Sequence, residues 1–249
     1  MFYRLQTILL NLTFYLLFFA VAAVLVPILV VYGCVLVPFC SWRRTLKRIR
    51  ALIRVYGITM IHLGWPFIRI RTEWADEPPP EPCIYICNHR ATSDGFLMGM
   101  LGCEGVQVVN IWPFKIPVLG VFARLAGYLS IREMPAEEFM QQGTRLLDDG
   151  VSIIAFPEGT RSGSRQMGPF HGALFRLALR SGAPIVPLCL SGTEDKPTKG
   201  SVIMKPGLIR MRFMPPITAD VYQEMSPFKL KNHVRNCMIS ELEQMEQEE

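Results

Sequence analysis

Residues 83–94, CIYICNHRATSD, place a short apolar run directly before a polar turn. The run 83–87 has the length and composition of a buried strand. The turn that follows holds a histidine and a carboxylate, His89 and Asp94, five residues apart. In open α/β sheets ligands bind beside the carboxyl ends of the strands, so this turn is a candidate functional site.

Apolar runs of the same kind recur along the chain and alternate with helical patterns. The predicted strands cover 83–87, 106–110, 128–131, 152–156, 185–190 and 208–213. The predicted helices lie near 95–102, 116–126, 136–148 and 171–181, and an amphipathic helix is predicted over 227–247. This alternation predicts an α/β fold with a mixed, largely parallel sheet flanked by helices.

The composition allows one globular core and a membrane element besides, because half of the 249 residues are hydrophobic. The formal net charge is +5, and most of the excess lies in one cluster after the apolar N-terminus, which argues against a nucleic-acid-binding face. A membrane surface and an anionic substrate fit this charge better.

The seven cysteines form an odd, scattered set, which predicts reduced, buried side chains in a cytoplasmic domain rather than disulfides or a zinc site.

The N-terminal segment from Leu5 to Trp42 contains no charged residue. It exceeds the roughly 20 residues that one helix needs to cross a bilayer, so we expect either one tilted span with an interfacial piece or a shallow hairpin near Pro27. A cleaved signal peptide is the alternative, since residues 20–22 offer a small-residue cleavage pattern. The apolar run continues over 24–37, however, where a cleaved protein would begin with more polar sequence.

A basic cluster follows the apolar segment and consists of Arg43, Arg44, Lys47, Arg48, Arg50 and Arg54. Its sign places this flank, and the rest of the chain, on the cytoplasmic side of the inner membrane. The cluster fits an amphipathic helix on anionic headgroups, and a merely solvated flank is equally consistent. We therefore expect a membrane anchor with a basic segment over 1–57 and a catalytic domain over 58–249, with the proline-rich stretch 76–82 as a linker.

The pair His89 and Asp94 has the spacing for acid–base chemistry in one turn. A carboxylate that accepts the Nδ1 proton fixes the imidazole tautomer and leaves Nε2 free as a general base. The alternative is that Ser93 or Asp94 caps the helix that follows and His89 is an ordinary turn residue. By itself this spacing favours the alternative.

A second motif, Phe156–Ser164, follows the predicted strand 152–156 and changes that balance. Its glycines and hydroxyls let backbone amides turn toward an anion, and Arg161 offers two donors to a phosphate. Glu158 beside it is predicted to hold Arg161 by an ion pair or to accept a hydrogen bond from a substrate hydroxyl. A polar surface turn is the alternative for the Gly-Ser portion alone.

Together these motifs resemble those of the lysophosphatidic acid acyltransferase family of glycerolipid acyltransferases. The family's Asn-His-x4-Asp motif matches residues 88–94, and its Phe-Pro-Glu-Gly-Thr-Arg-Ser motif matches 156–162. The second and fourth motifs match 127–132 and 183–187, and the resemblance covers roughly 60–215.

The resemblance implies a membrane-bound O-acyltransferase that acylates 1-acyl-glycerol-3-phosphate to phosphatidic acid. His89 is then the base that deprotonates the acceptor hydroxyl, and Asp94 orients it. The residues implied to bind the acceptor are Asn88, Arg132, Glu158, Gly159, Thr160 and Arg161. The donor is acyl-coenzyme A or acyl-acyl carrier protein, and we expect no covalent acyl-enzyme, no metal and no nucleotide cofactor.

One departure from the family keeps a second acceptor open. Many relatives carry lysines after the third motif, where this chain has the single His171. Another lysolipid, such as lyso-ornithine lipid, therefore stays an alternative acceptor. A catalytically silent lipid-binding membrane protein and a thioester hydrolase are alternatives of other classes. The sequence leaves the acyl-chain length and the oligomeric state open.

Overall fold

The structure is a computed structural model, and it describes residues 1–39, 41–74, 78–110, 114 and 119–248. Seven strands form one sheet in the order β1-β7-β6-β2-β5-β3-β4. The strands are β1 (Ile68–Glu73), β2 (Ile84–Cys87), β3 (Gly105–Val109), β4 (Leu129–Ser130), β5 (Ser152–Ala155), β6 (Ile185–Ser191) and β7 (Gly207–Phe213). All neighbouring strands pair in parallel except β6 and β7, so the predicted mixed, largely parallel sheet is confirmed.

Eight α-helices are described along the chain, and a 3-10 turn (Met98–Leu101) follows the third of them. They are α1 (Phe2–Phe39), α2 (Trp42–His62), α3 (Asp94–Leu97), α4 (Leu119–Leu125), α5 (Ala136–Asp148), α6 (Ala173–Ser181), α7 (Ala219–Tyr222) and α8 (Pro227–Gln247). The helix predicted over 116–126 is confirmed as α4, although residues 116–118 lie outside the described part of the chain. Every predicted strand is present, and β1 is an additional one.

The core lies on both faces of the sheet, because alternate residues of a strand point to opposite sides. In β2, Ile84 and Ile86 pack into a cluster that also contains buried side chains of α5, α6 and α8. Tyr85 and Cys87 pack into the opposite cluster, with side chains of α2 and α3. The fold is therefore a sheet between two helical layers, and β2 is buried on both faces, as its continuous apolar sequence predicts.

The apolar N-terminal segment forms one continuous helix, α1, and no hairpin bend occurs at Pro27. Within the described chain it is the one helix long and apolar enough to cross a membrane. A half-buried stripe recurs along it every three or four residues, at 11, 14, 15, 18, 21, 22, 25 and 26, and its N-terminal part, with Leu10 and Phe14, packs on the core. The opposite side is exposed and apolar.

The predicted amphipathic helix of the basic segment is present as α2, with Thr45, Ile49 and Arg50 buried.

The proline-rich stretch and the expected domain boundary both fall within the structured part of the protein. The proline-rich stretch 76–82 lies between β1 and β2, with residues 76 and 77 outside the described chain. Because β1 pairs with β7 along its whole length, this stretch is a loop within the sheet domain and not a linker into it. The expected boundary between residues 57 and 58 falls inside α2, whose Ile61 is part of the core.

Candidate active site

The two predicted motifs emerge side by side because β2 and β5 are parallel neighbours. Ile86 lies opposite Ala155 in the register, so both strands end at the same edge of the sheet. Backbone hydrogen bonds then join the two turns: the amide of Ser162 donates to the carbonyl of His89 at 2.8 Å, and that of Gly163 to the carbonyl of Arg90 at 3.2 Å. The sheet thus brings together residues about 70 positions apart in sequence.

His89 and Asp94 form the contact that their spacing predicts. The Nδ1 atom of His89 lies 2.9 Å from Oδ2 of Asp94, a residue with no exposed surface. A carboxylate only accepts hydrogen bonds, so in the neutral imidazole Nδ1 carries the proton and Nε2 is the unprotonated nitrogen. The imidazole is one-fifth exposed, and its ring stacks on Phe156 with 4.4 Å between the centroids.

Asp94 also organises the turn itself. Its Oδ2 accepts hydrogen bonds from the backbone amides of Arg90 at 2.6 Å and Ala91 at 2.7 Å. The capping alternative does not hold, since Ser93 makes no side-chain cap hydrogen bond and both amides that Asp94 binds precede α3, while the same oxygen also holds the imidazole. One carboxylate folds the turn and orients the base.

The carboxylate of Glu158 makes different contacts from those predicted. It is buried, and its two oxygens accept backbone hydrogen bonds from His89 at 2.7 Å and from Gly168 at 2.7 Å. It makes no ion pair with Arg161, whose guanidinium instead donates to the hydroxyl of Thr92 at 2.5 Å. Burial raises the pKa of the Glu158 carboxyl, and the two amide hydrogen bonds partly offset that rise. Glu158 therefore positions the backbone of His89 rather than facing an acceptor.

Asn88 is likewise turned away from the predicted substrate. It is buried, and its amide group exchanges two hydrogen bonds with the backbone of Leu190 in β6, at 2.9 and 2.7 Å. These hydrogen bonds fasten the C-terminal end of β2 to the neighbouring strand β6. The prediction that Asn88 binds substrate is replaced by a role in fixing the strand end directly before His89.

A cavity of about 1240 Å³ opens beside the imidazole of His89. The predicted residues Arg132, Gly159, Thr160 and Arg161 all line it. Apolar side chains, including Phe96, Met98, Val108, Ile131 and Phe156, line it as well. The cavity therefore combines a base, cations and an apolar wall, which is the chemistry needed to hold an anionic lipid.

Two further residues that line the cavity were not predicted as site residues. Arg176 lies in the first turn of α6, is exposed, and lines the cavity together with His171. The His171 ring lies against Gly159, where an added Cβ would be 3.0 Å from ring atoms Cδ2 and Nε2. Gly159 also has a φ of +69°, so its lack of a side chain is required twice over. An isolated arginine on an amphipathic helix resembles an ordinary solvated residue, and no sequence signal marked Arg176.

The C-terminal helix α8 braces the active-site turn from behind. The guanidinium of Arg90 is buried and donates to Glu246 at 2.6 Å, to Glu194 at 3.3 Å and to the carbonyl of Arg165 at 2.9 Å. On the same helix, Arg235 donates to the carbonyls of residues 167 and 168. The amide of Gly168 in turn donates to Glu158. Helix α8 therefore contacts both Arg90 of the turn and the loop at residues 167–168.

A further depression, of about 740 Å³, lies beside β1 and β7 and is lined by charged side chains. Its arginines are paired: Arg210 and Arg212 both contact Glu73, at 2.9 and 2.6 Å. The carboxylate of Glu73 has a lowered pKa, because the hydrogen bonds from these arginines outweigh its burial. This depression contains no histidine, so the cavity beside His89 is the candidate active site.

Comparison with known proteins gives a consistent result. A family model described as Acyltransferase matches residues 69–191. The chain is 33% identical over 195 residues to a 1-acyl-sn-glycerol-3-phosphate acyltransferase of Limnanthes alba, which covers 66% of this chain and 68% of that protein. It is 27% identical over 214 residues to the 1-acyl-sn-glycerol-3-phosphate acyltransferase alpha of Homo sapiens, covering 82% and 74%. The fold is that of the crystal structure of the 1-acyl-sn-glycerophosphate acyltransferase PlsC from Thermotoga maritima, with a TM-score of 0.77, 21% identity and 98% and 97% coverage.

Proposed function

Since the chain belongs to the 1-acyl-sn-glycerol-3-phosphate acyltransferase family, we propose that it transfers a fatty acyl group from an acyl thioester to the free hydroxyl of 1-acyl-glycerol-3-phosphate, giving phosphatidic acid. The observation that carries this proposal is the 2.9 Å contact between His89 and Asp94 at the mouth of a cavity lined by arginines. A base with a fixed tautomer beside an anion site suits deprotonation of a lysophospholipid hydroxyl.

The proposed reaction is a direct transfer. Nε2 of His89 removes the proton of the acceptor hydroxyl while its oxygen attacks the thioester carbonyl. The new C–O bond forms, the C–S bond breaks, and the thiolate recovers the proton from the imidazolium. The negative charge of Asp94 stabilises the imidazolium in between, and such proton transfer contributes about 10²- to 10⁴-fold in rate. The nucleophile is the substrate oxygen, so the mechanism needs no acyl-enzyme and no metal.

The phosphate of the acceptor is proposed to lie among Arg132, Arg161 and Arg176. All three line the cavity, and an arginine offers two parallel donors to phosphate oxygens. Arg176 supplies a cation to the cavity, although His171 stands where many relatives carry lysine. This arrangement favours a phosphomonoester over the zwitterionic head of lyso-ornithine lipid.

The donor is proposed to be acyl-coenzyme A or acyl-acyl carrier protein, with its chain along the apolar wall of the cavity. Arg43, Lys47 and Arg54 of α2 line the same cavity and supply positive charge for a polyanionic donor. We further propose that α1 lies in the inner membrane with the sheet domain on the cytoplasmic side, as the basic cluster of α2 indicates.

The test is acyl transfer by the purified protein in detergent micelles, from a radiolabelled acyl thioester to lysophosphatidic acid and to lyso-ornithine lipid in parallel. Acyl-coenzyme A and acyl-acyl carrier protein are supplied in separate reactions, and His89→Ala is the control. Phosphatidic acid from the wild type and none from His89→Ala is the expected result.

The other outcomes identify the alternatives. Product from lyso-ornithine lipid alone would keep the chemistry and change the acceptor. Free fatty acid without added lysolipid would indicate a hydrolase, and no reaction of either thioester would favour a lipid-binding protein. Arg176→Ala sharpens the assignment of the headgroup: we expect a higher KM for lysophosphatidic acid, whereas Arg180→Ala, four residues further along α6 and paired with Glu137, should leave the KM unchanged.

A further inference from the structure

The loop Thr198–Lys205, between β6 and β7, carries two adjacent apolar side chains in the open. Val202 is 70% exposed and Ile203 is 56% exposed. Single exposed apolar residues are common on protein surfaces, so exposure alone assigns no role. What distinguishes this loop is the element to which it is fastened.

The loop is bonded directly to α1. The side-chain amide of Asn11 donates to the carbonyl of Met204 at 2.8 Å, and the amide of Met204 donates back to Oδ1 of Asn11 at 2.9 Å. The hydroxyl of Tyr15 donates to the carbonyl of Val202. Asn11 is a polar residue within the apolar run of α1, and these two hydrogen bonds to the loop give its side chain a partner. The loop is therefore held at the level of residues 11–15 of α1.

At that level the outer side of α1 is apolar and exposed. Leu12, Leu16 and Phe19 are each about two-thirds exposed, and the half-buried stripe of α1 lies on the other side. Asn11 and Tyr15 belong to that stripe, so the loop lies on the half-buried side of α1, and a bilayer that encloses α1 at this level also meets the exposed tip of the loop. Exposed Lys199 and Lys205 flank the tip; Lys205 pairs with Asp195 at 3.1 Å, and cations at such places are typical where an apolar segment enters a headgroup layer.

The far side of the same loop touches the active site. The ammonium of Lys199 donates to the backbone carbonyl of Arg161 at 2.7 Å, and its side chain packs against Gly163. One short loop thus connects α1 with the turn that carries a cation for the acceptor. The polar head of a lysolipid lies at the bilayer surface, so a loop seated there would place Arg161 where the head emerges.

We propose that the tip Val202–Ile203 is a second membrane-contact site, which together with α1 seats the active-site turn on the lipid surface. This inference rests on the proposed function in one respect, namely that α1 lies in a bilayer. It adds a contact that α1 does not need for anchoring and that serves access of the membrane-borne acceptor to Arg161.

The direct test is fluorescence of the full chain in vesicles of phosphatidylcholine and phosphatidylglycerol that contain brominated phosphatidylcholine, which quenches tryptophan at the depth of its acyl chains. Ile203→Trp adds one fluorophore at the tip, and Val221→Trp, at a half-exposed position of α7, is the matched control. We expect the fluorescence added by Ile203→Trp to be quenched and that added by Val221→Trp to be unaffected. Equal behaviour of the two variants would overturn the proposal.

A kinetic test does not depend on fluorescence. The double variant Val202→Asp, Ile203→Asp should raise the apparent KM for vesicle-borne lysolipid about tenfold, because charged side chains resist entry into the interface. In detergent micelles, where the acceptor is not confined to a bilayer, its kcat should equal that of the wild type. An unchanged KM on vesicles would contradict the proposal, whereas failure of the proposed function would appear as an inactive wild type in micelles.

Discussion

The turn around His89 and the arginine rim of the cavity are built in opposite ways. In and around the turn, the side chains of Asp94, Glu158 and Arg90 are buried and hydrogen-bonded within the protein. The rim consists of Arg132, Arg161 and Arg176, which line open space. The protein therefore orders the proton-transfer group before substrate arrives and leaves the headgroup contacts to be completed by the substrate. Changes in the turn should lower kcat, and changes in the rim should raise KM.

The largest effect is expected for Asp94→Asn. The amide keeps the shape but removes the charge that stabilises the imidazolium, and it places an NH2 group in the buried position of Oδ1, which has no hydrogen-bond partner among the described residues. We expect kcat to fall about a thousandfold with little change in KM. Steady-state kinetics on lysophosphatidic acid measure both constants. A variant with normal kcat would show that His89 acts without its carboxylate.

The strongest test of the rim is Arg161→Ala. Loss of one charge-assisted contact to phosphate should raise the KM for lysophosphatidic acid about tenfold and leave kcat within about twofold. Arg161→Lys keeps the charge without the paired donors, so its KM should be intermediate. A fall in kcat at unchanged KM would place Arg161 with the turn and remove the distinction between the two regions.

Glu158→Gln tests the turn without touching its imidazole. Two backbone amides donate to Glu158, and glutamine offers only one acceptor oxygen, so one buried amide loses its partner. We expect the free energy of unfolding to fall by about 1–3 kcal/mol and kcat to fall about tenfold. Thermal unfolding in detergent and kinetics on the same preparation measure the two effects.

The same variant should change the pH dependence of stability. Because burial raises the pKa of Glu158, the native state retains this proton where the unfolded chain has released it. The corresponding stability is present below the ordinary carboxyl pKa and is lost as pH rises through the raised one. Glu158→Gln has no such proton, so its unfolding temperature should lack this decline as the pH rises above the ordinary carboxyl pKa. An identical slope in both proteins would contradict the raised pKa.

The smallest effect is expected for Glu246→Gln, which weakens the brace from α8. Arg90 keeps Glu194 and the carbonyl of Arg165, so kcat should fall only about threefold. Glu243→Gln, at an exposed position of the same helix, is the control and should match the wild type. If Glu246→Gln changed KM and not kcat, the brace would act on the rim and not on the turn.

The sequence predicted the contact between His89 and Asp94 because both lie in one turn, although the spacing became informative only beside the second motif, 156–164. It also predicted the strands, whose apolar runs are distinct. The family resemblance implied that Asn88 and Glu158 bind substrate. Whether a polar side chain at a strand end points outward or back into the sheet depends on a partner such as Leu190, 102 positions from Asn88. β1 was missed since arginines interrupt its apolar residues in alternation, as suits an edge strand.

The brace between Arg90 and Glu246 also has a consequence for biosynthesis. The two residues are 156 positions apart, and a ribosome adding 5–20 residues per second needs roughly 8 to 30 s to synthesise that interval. Throughout that time the nascent chain already carries α1 and His89, while Arg90 still lacks its contact with Glu246. The contact that ties α8 to the turn around His89 therefore forms only after α8 itself has been synthesised.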